Sequence, residues 1–302
     1  MKKLRNILMC VAIGGMFVGC QDLDIPPKNI LSGEDIYNEG GITAYMAGLY
    51  SQLPMEDFNM SNDGSYNGFY NWNCIIWDML STGETVNRNN TGIYIPQKGY
   101  WSMGYKTIRQ ANDLIANLPA YVGKLKGAES WIAEAKFIRA YVYFAMVKRY
   151  GGVPILETPQ EMTNDEKALW VARSSHEECI DFILSDLDYA IENLGKTKVA
   201  GRANNTYVAA AFKSRVALYA GSVARYGQTF NYSGSESGKM LTGIPEGRAN
   251  DYFMQAYKAS KIVEEGGYKL YEGNSDKEAN FREIFANADK SDESILIRQY
   301  SK

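Results

Sequence analysis

The 302-residue chain has a single histidine, His176. That removes His-rich metal sites and leaves one residue around which a Ser-His or Cys-His pair could be built. No CxxC pair and no glycine-rich phosphate cradle occurs, so neither a metal nor a bound cofactor is expected. The 32 Lys and Arg do not outnumber the 35 Asp and Glu, and the formal charge of −3 disfavours nucleic acid and anionic membrane surfaces as partners. None of the 35 acids sits in a motif that holds two carboxylates at a set separation, so a glycosidase reading has no positive support. Beyond the first 20 residues no apolar run reaches the ~20 residues that span a hydrocarbon core. Convincing strand alternation is almost absent.

What is present begins with the N-terminus. A basic head, Met1-Lys2-Lys3-Leu4-Arg5, precedes an apolar run from Ile7 to Val18, then Gly19 and Cys20. This layout predicts a secretory signal over residues 1–19. Cys20 after Gly19 is similar to a lipobox, with Phe17 where Leu is usual, so the mature chain is expected to begin at Cys20 and carry lipid there. An ordinary signal followed by an incidental Cys is the alternative. Losing Lys2, Lys3 and Arg5 makes the mature chain three charges more negative, and Asp22 and Asp24 follow Cys20 at once. Cys74 and Cys179 remain; they could bridge in an oxidising compartment but read better as two buried thiols.

The remainder is helical. From Ala128, Trp131, Ile132, Ala135, Ile138, Val142, Ala145 and Met146 recur at a 3.6-residue period, and Phe137, Tyr141 and Phe144 fill the other side. Such a helix is apolar nearly all round and should lie deep in a stack. It stops at Tyr150-Gly151-Gly152-Val153-Pro154. The next opens at Ser174-Ser175-His176-Glu177 with capping-box spacing and runs to Leu194, placing His176 as a solvated neighbour of the cap. Further helices are expected over Ser32–Leu53, Lys98–Leu118, Asn204–Arg225 and Asn250–Glu265.

Shifting the chain by 76 residues aligns Ile115 with Ile191, Asn117 with Asn193, Arg139 with Arg215, Tyr143 with Tyr219, and Arg149-Tyr150-Gly151 with Arg225-Tyr226-Gly227. Residues 98–151 and 174–227 thus read as two copies of a helix–turn–helix unit, and Asn250–Gly267 as the first helix of a third. The units predict an all-α fold of tetratricopeptide-like hairpin repeats with long irregular loops, each hairpin burying its face against its neighbours. The usual Trp-Leu-Gly-Tyr signature is missing, and an unrelated helical bundle is the alternative. Residues 228–249, rich in Gly and Ser, read as a surface excursion.

Residues 54–97 form a connection long enough to suggest function. Within 62–101 lie Tyr66, Phe69, Tyr70, Trp72, Trp77, Tyr94, Tyr100 and Trp101, with asparagines at 62, 67, 71, 73, 87, 89 and 90 and few charges. Sugars suit this mixture: the C–H face of a pyranose lies on an aromatic ring, while Asn and Arg meet its hydroxyls directionally. Candidate glycan contacts are Tyr66, Tyr70, Trp72, Asn73, Trp77, Arg88 and Tyr94. The competing reading is that the rings pin a long loop to the helices, which is expected of Trp101 and Tyr105. Glu134 and Arg139 lie five apart on the deepest helix, do not pair with each other, and are expected to pair with other helices.

Several of these stretches, taken in order, resemble the SusD/RagB family of outer-membrane nutrient-binding lipoproteins. They are Cys20-Gln21-Asp22-Leu23-Asp24-Ile25-Pro26-Pro27; Trp101, Tyr105, Ile108, Arg109 and Asn112; Glu134 to Ala140 with Tyr143-Phe144; Arg149 to Pro154; Arg173 to Leu194; and Gly201-Arg202-Ala203 before Leu218-Tyr219. The resemblance implies a lipid-anchored, non-catalytic protein facing the cell exterior at the outer membrane, which binds oligosaccharide and passes it to a TonB-dependent SusC-like transporter. A lid or scaffold subunit without its own glycan site is the alternative, and a carbohydrate-active enzyme a third. Family members are longer, so residues 20–302 are expected to be an incomplete N-terminal portion truncated at the C-terminus. The final stretch, Ser294 to Lys302, resembles an interior β-like segment, with apolar surface expected to be uncovered near Ile295 and Ile297.

Overall fold

The computed structural model describes residues 36–53, 100–161, 163–198, 202–227, 240–286, 291 and 293–297. Among these the chain forms α1 (Glu39–Ser51), α2 (Tyr100–Asn117), α3 (Ala128–Tyr150), α4 (His176–Asn193), α5 (Thr206–Tyr226), α6 (Ala249–Glu265) and α7 (Lys277–Ala286), and no strand. Three of these helices, α1, α4 and α5, are capped at their start by a side chain. Asn38 Oδ1 accepts from the Gly41 N–H at 2.9 Å and Asn205 Oδ1 from the Val208 N–H at 3.0 Å, both N-caps. Pro119 follows the end of α2 and leads a 3-10 turn, Leu118–Tyr121.

The α4 capping box is built one residue later than the sequence suggests. Ser175 Oγ accepts from the Glu178 N–H at 3.1 Å, and Glu178 Oε2 accepts from the Ser175 N–H at 2.7 Å. Ser174 is already engaged, its N–H donating to the Val153 carbonyl at 3.1 Å. His176 is therefore not a solvated neighbour of the cap. It is 4% exposed, because residues 240–241 cross over it and the Met240 carbonyl takes its backbone N–H at 2.8 Å.

Tyr100 and His176, Asn117 and Asn193, and Tyr150 and Tyr226 are each 76 residues apart, so the helix ends repeat with the sequence. Consecutive helices pack on one another from α2 through α6, and α1 lies on α2 and α3. The α3 helix buries residues on every side, from Ile132 through Val147. Its outer rings close around α5: Phe212 stacks on Tyr141 at 4.6 Å and meets Phe137 and Phe144, each at 5.6 Å.

Two buried charge clusters lock this stack. Arg139 grips Asp186 of α4 through Nε (2.7 Å) and Nη2 (2.8 Å), while its Nη1 reaches Asn112 of α2 (2.6 Å) and the Glu157 carbonyl (3.0 Å). Glu134, fully buried, pairs with Arg202 and accepts from the Tyr50 hydroxyl of α1 at 2.6 Å. Burial pushes the Glu134 carboxyl above its ordinary range despite these partners. Both residues thus pair with other elements, as their spacing implies. Cys179 is a free, buried thiol that clasps the Val153 peptide at 3.3 Å on both its N–H and its carbonyl, and burial raises its pKa to about 11. Cys74 lies outside the described residues.

Candidate ligand-binding edge

The turns within each hairpin are short, whereas the connections before α2, α4 and α6 are long. In a stack of hairpins all such connections emerge at one edge, where the second helix of one pair ends and the next pair begins. Contacts bring the three together. Trp101 at the start of α2 meets Tyr150 at the end of α3 edge-on, with ring centroids 5.4 Å apart. Arg173 donates to the carbonyls of Tyr150 (2.6 Å) and Gly152 (2.7 Å). The Gly152 N–H donates to the Leu241 carbonyl at 2.6 Å.

This crossing explains the paired glycines. Gly151 has φ +68°, and a Cβ there would collide with the Leu241 carbonyl; a Cβ on Gly152 would collide with the Ser174 carbonyl. The 228–249 segment is accordingly not wholly a surface excursion, since Leu241 and Ile244 are buried at its close. The sequence carries those two apolar residues, but its Gly and Ser content masks them.

The connection from α3 to α4 then folds back along one face of α2. The Tyr105 hydroxyl donates to the Pro154 carbonyl (2.7 Å), Asn112 Nδ2 to Leu156 (2.8 Å) and Arg109 Nη1 to Gln160 (2.9 Å). Trp101, Tyr105 and Arg109 repeat every four residues, so they share that face. Tyr105 pins this α3–α4 connector; the 54–97 loop it was expected to pin lies outside the described residues. Trp101 does not sit in the core: it is 38% exposed, braced by Tyr150 and by Tyr105 at 5.2 Å. The end of α1 lies against α2, where Thr107 Oγ1 donates to Gln52 Oε1 at 3.1 Å.

The candidates Tyr66, Tyr70, Trp72, Asn73, Trp77, Arg88 and Tyr94, and the lipidation candidate Cys20, lie outside the described residues. Trp170, absent from the sequence-based candidates, stands 71% exposed on the connector. Its signal was an indole within a short apolar run, Ala168-Leu169-Trp170-Val171-Ala172. Among the described residues no group of three His, Cys, Asp or Glu side chains is placed to hold a metal, and no helix is long and apolar enough to cross a membrane.

The model of the SusD-like family described as starch-binding, associating with outer membrane, matches residues 23–218. The chain belongs to this family. It is similar to a SusD-like protein of Bacteroides ovatus, 26% identical over 216 residues that make up 66% of this chain and 37% of the relative. Identity to a SusD-like protein of Formosa agariphila is 25% over 228 residues, 73% of this chain and 44% of that one. The chain thus spans less than half the length of these curated relatives. Among solved structures it shares its fold with a SusD-like protein of Bacteroides fragilis, with TM-score 0.54 and 24% identity over 90% of this chain and 45% of that one. A laminarin-binding SusD-like protein gives TM-score 0.54 and 19% identity over 85% and 50%. A crystal structure with a xylogluco-oligosaccharide gives TM-score 0.50 and 24% identity over 76% of this chain and 41% of that one. The all-α, tetratricopeptide-like architecture is therefore that of SusD-like proteins.

Proposed function

We propose that this chain is the helical-repeat part of a surface lipoprotein, anchored through Cys20 after loss of residues 1–19. It binds oligosaccharide without catalysis and delivers it to a TonB-dependent SusC-like transporter. The observation that carries this reading is the edge itself. Trp101, Tyr105 and Tyr150 meet at the edge where the 54–99 segment joins α2, and in sequence that segment carries Tyr66, Tyr70, Trp72, Trp77 and Tyr94, whose rings offer faces for pyranoses. Asn73 and Arg88 supply donors for hydroxyls, Asn73 an acceptor too. The family's starch-binding description supports the same ligand class. A laminarin-binding SusD-like protein and a structure with a xylogluco-oligosaccharide share this helical fold, which supports loops, rather than the shared helices, as what selects the sugar.

Affinity electrophoresis in gels cast with amylopectin, laminarin or xyloglucan tests the binding claim. Retardation by at least one polymer is expected, and Trp72→Ala with Trp77→Ala should abolish it. Retardation unchanged in that double variant would remove the excursion from the site. Shortened products after incubation would instead indicate an enzyme. For the anchor, Cys20→Ala should release the protein from membranes into the soluble fraction; a variant that still sediments with the outer membrane defeats that part of the proposal.

A further inference from the structure

We infer that His176 is an acid-operated latch: when its imidazole takes a proton, the strap over 240–244 lifts from the junction of α3 and α4. The latch is independent of the glycan reading above. The strap is held where it crosses. The Met240 carbonyl accepts from the His176 N–H at 2.8 Å, and the Leu241 carbonyl from the Gly152 N–H at 2.6 Å. The bare backbone of Gly151 admits the strap, and Leu241 and Ile244 are its buried anchors. Beneath it His176 is 4% exposed, and neither ring nitrogen is hydrogen-bonded among the described residues. A neutral ring tolerates such a site far better than a cation does.

The groups around the ring do not offset that cost. The strap carries no titratable side chain over 240–244. From α5 comes Tyr219, its ring centroid 6.1 Å away, backed by Phe144 of α3, over which Lys148 lies. On α4 itself Glu178 turns back onto Ser175, Glu177 pairs with Arg248 at 2.9 Å, and Cys179 holds the Val153 peptide. Arg173 of the connector is spent on the Tyr150 and Gly152 carbonyls. Burial is accordingly the sole cause that lowers the His176 pKa, to about 4. To charge, the ring must meet water, and the strap is what yields. The helices α3 and α5 are packed on both sides, whereas the strap is irregular backbone seated across their junction. The closed form takes the proton at about 4 and the open form at 6.5, so the strap is seated above pH 6.5 and opens as pH falls towards 4.

Amide-resolved hydrogen exchange of the purified chain tests this, read as protection factors so that the pH dependence of intrinsic exchange cancels. The Gly152 and His176 amides have their acceptors on the strap. Between pH 7.5 and pH 5 their protection should fall roughly ten- to thirtyfold. The amides of Ala140 and Leu184, in the middle of α3 and α4, should keep theirs. His176→Gln does not titrate in this range and should remove the fall at Gly152 and at position 176; His176→Leu should behave the same way. Protection at Gly152 that is constant with pH in wild type, or that falls equally in both variants, overturns the latch. Loss at Ala140 and Leu184 in step with Gly152 overturns it too, since acid would then be unfolding the stack rather than lifting the strap.

Discussion

His176 shows how one buried group sets a pH dependence. Neither ring nitrogen has a hydrogen-bond partner among the described residues, and burial lowers its pKa from 6.5 to about 4. The folded state therefore favours the neutral ring, whereas the unfolded chain takes up the proton near pH 6.5. Stability from this group is fully present above pH 6.5 and is lost as pH falls towards 4. The shift corresponds to up to about 3 kcal/mol at 1.36 kcal/mol per unit. Urea unfolding midpoints measured from pH 7.5 to 4.5 should decline more steeply for wild type than for His176→Leu. Parallel curves for the two proteins would show that the imidazole is hydrated in the folded state. The residue's burial could not be read from its position in a first turn, because the segment that covers it arrives some sixty residues later.

At the scale of elements, periodicity and capping chemistry made the five helices α2 to α6 legible to within a few residues, and the 76-residue repeat anticipated their pairing. α7 was not legible: its ten residues bury only Asn280, and it lacks an apolar stripe of core length. The connectors were legible only as lengths, since their paths depend on Arg109, Asn112 and Arg173 reaching backbone carbonyls far along the chain. The Arg139–Asp186 pair ties α3 to α4 in the same way, both side chains being at most 3% exposed. Removing one partner strands a buried charge, so Arg139→Met or Asp186→Leu alone should cost roughly 3–5 kcal/mol. The double variant should cost clearly less than the sum, because no charge is left unpaired with the other. Chemical denaturation of all four proteins closes the cycle; additive losses would mean that Lys136, 2.9 Å from Asp186, and Asn112 compensate each partner separately.

Over the whole molecule, a stack of hairpins buries apolar surface only where a neighbour exists, and a face without one leaves apolar side chains exposed. The sequence places that exposure near Ile295 and Ile297, but Ile295 and Leu296 pack against the core as partly buried residues, in bends rather than a strand. The uncovered surface lies instead on and before α7: Phe281 is 63% exposed, Phe285 73% and Leu270 72%. Phe281 and Phe285 meet edge-on at 5.2 Å, one turn apart, which makes a contiguous apolar ridge rather than scattered single residues. Such a ridge should drive association of the purified chain. Sedimentation velocity across a hundredfold concentration range should show weight-average size rising for wild type, with Phe281→Ser/Phe285→Ser staying monomeric. Because neither ring is buried, the double variant should unfold within about 0.5 kcal/mol of wild type, as surface substitutions do. A large loss of stability would show that the ridge is covered within the folded chain. Concentration-independent size for wild type would show that two rings alone are too small an area to hold copies together.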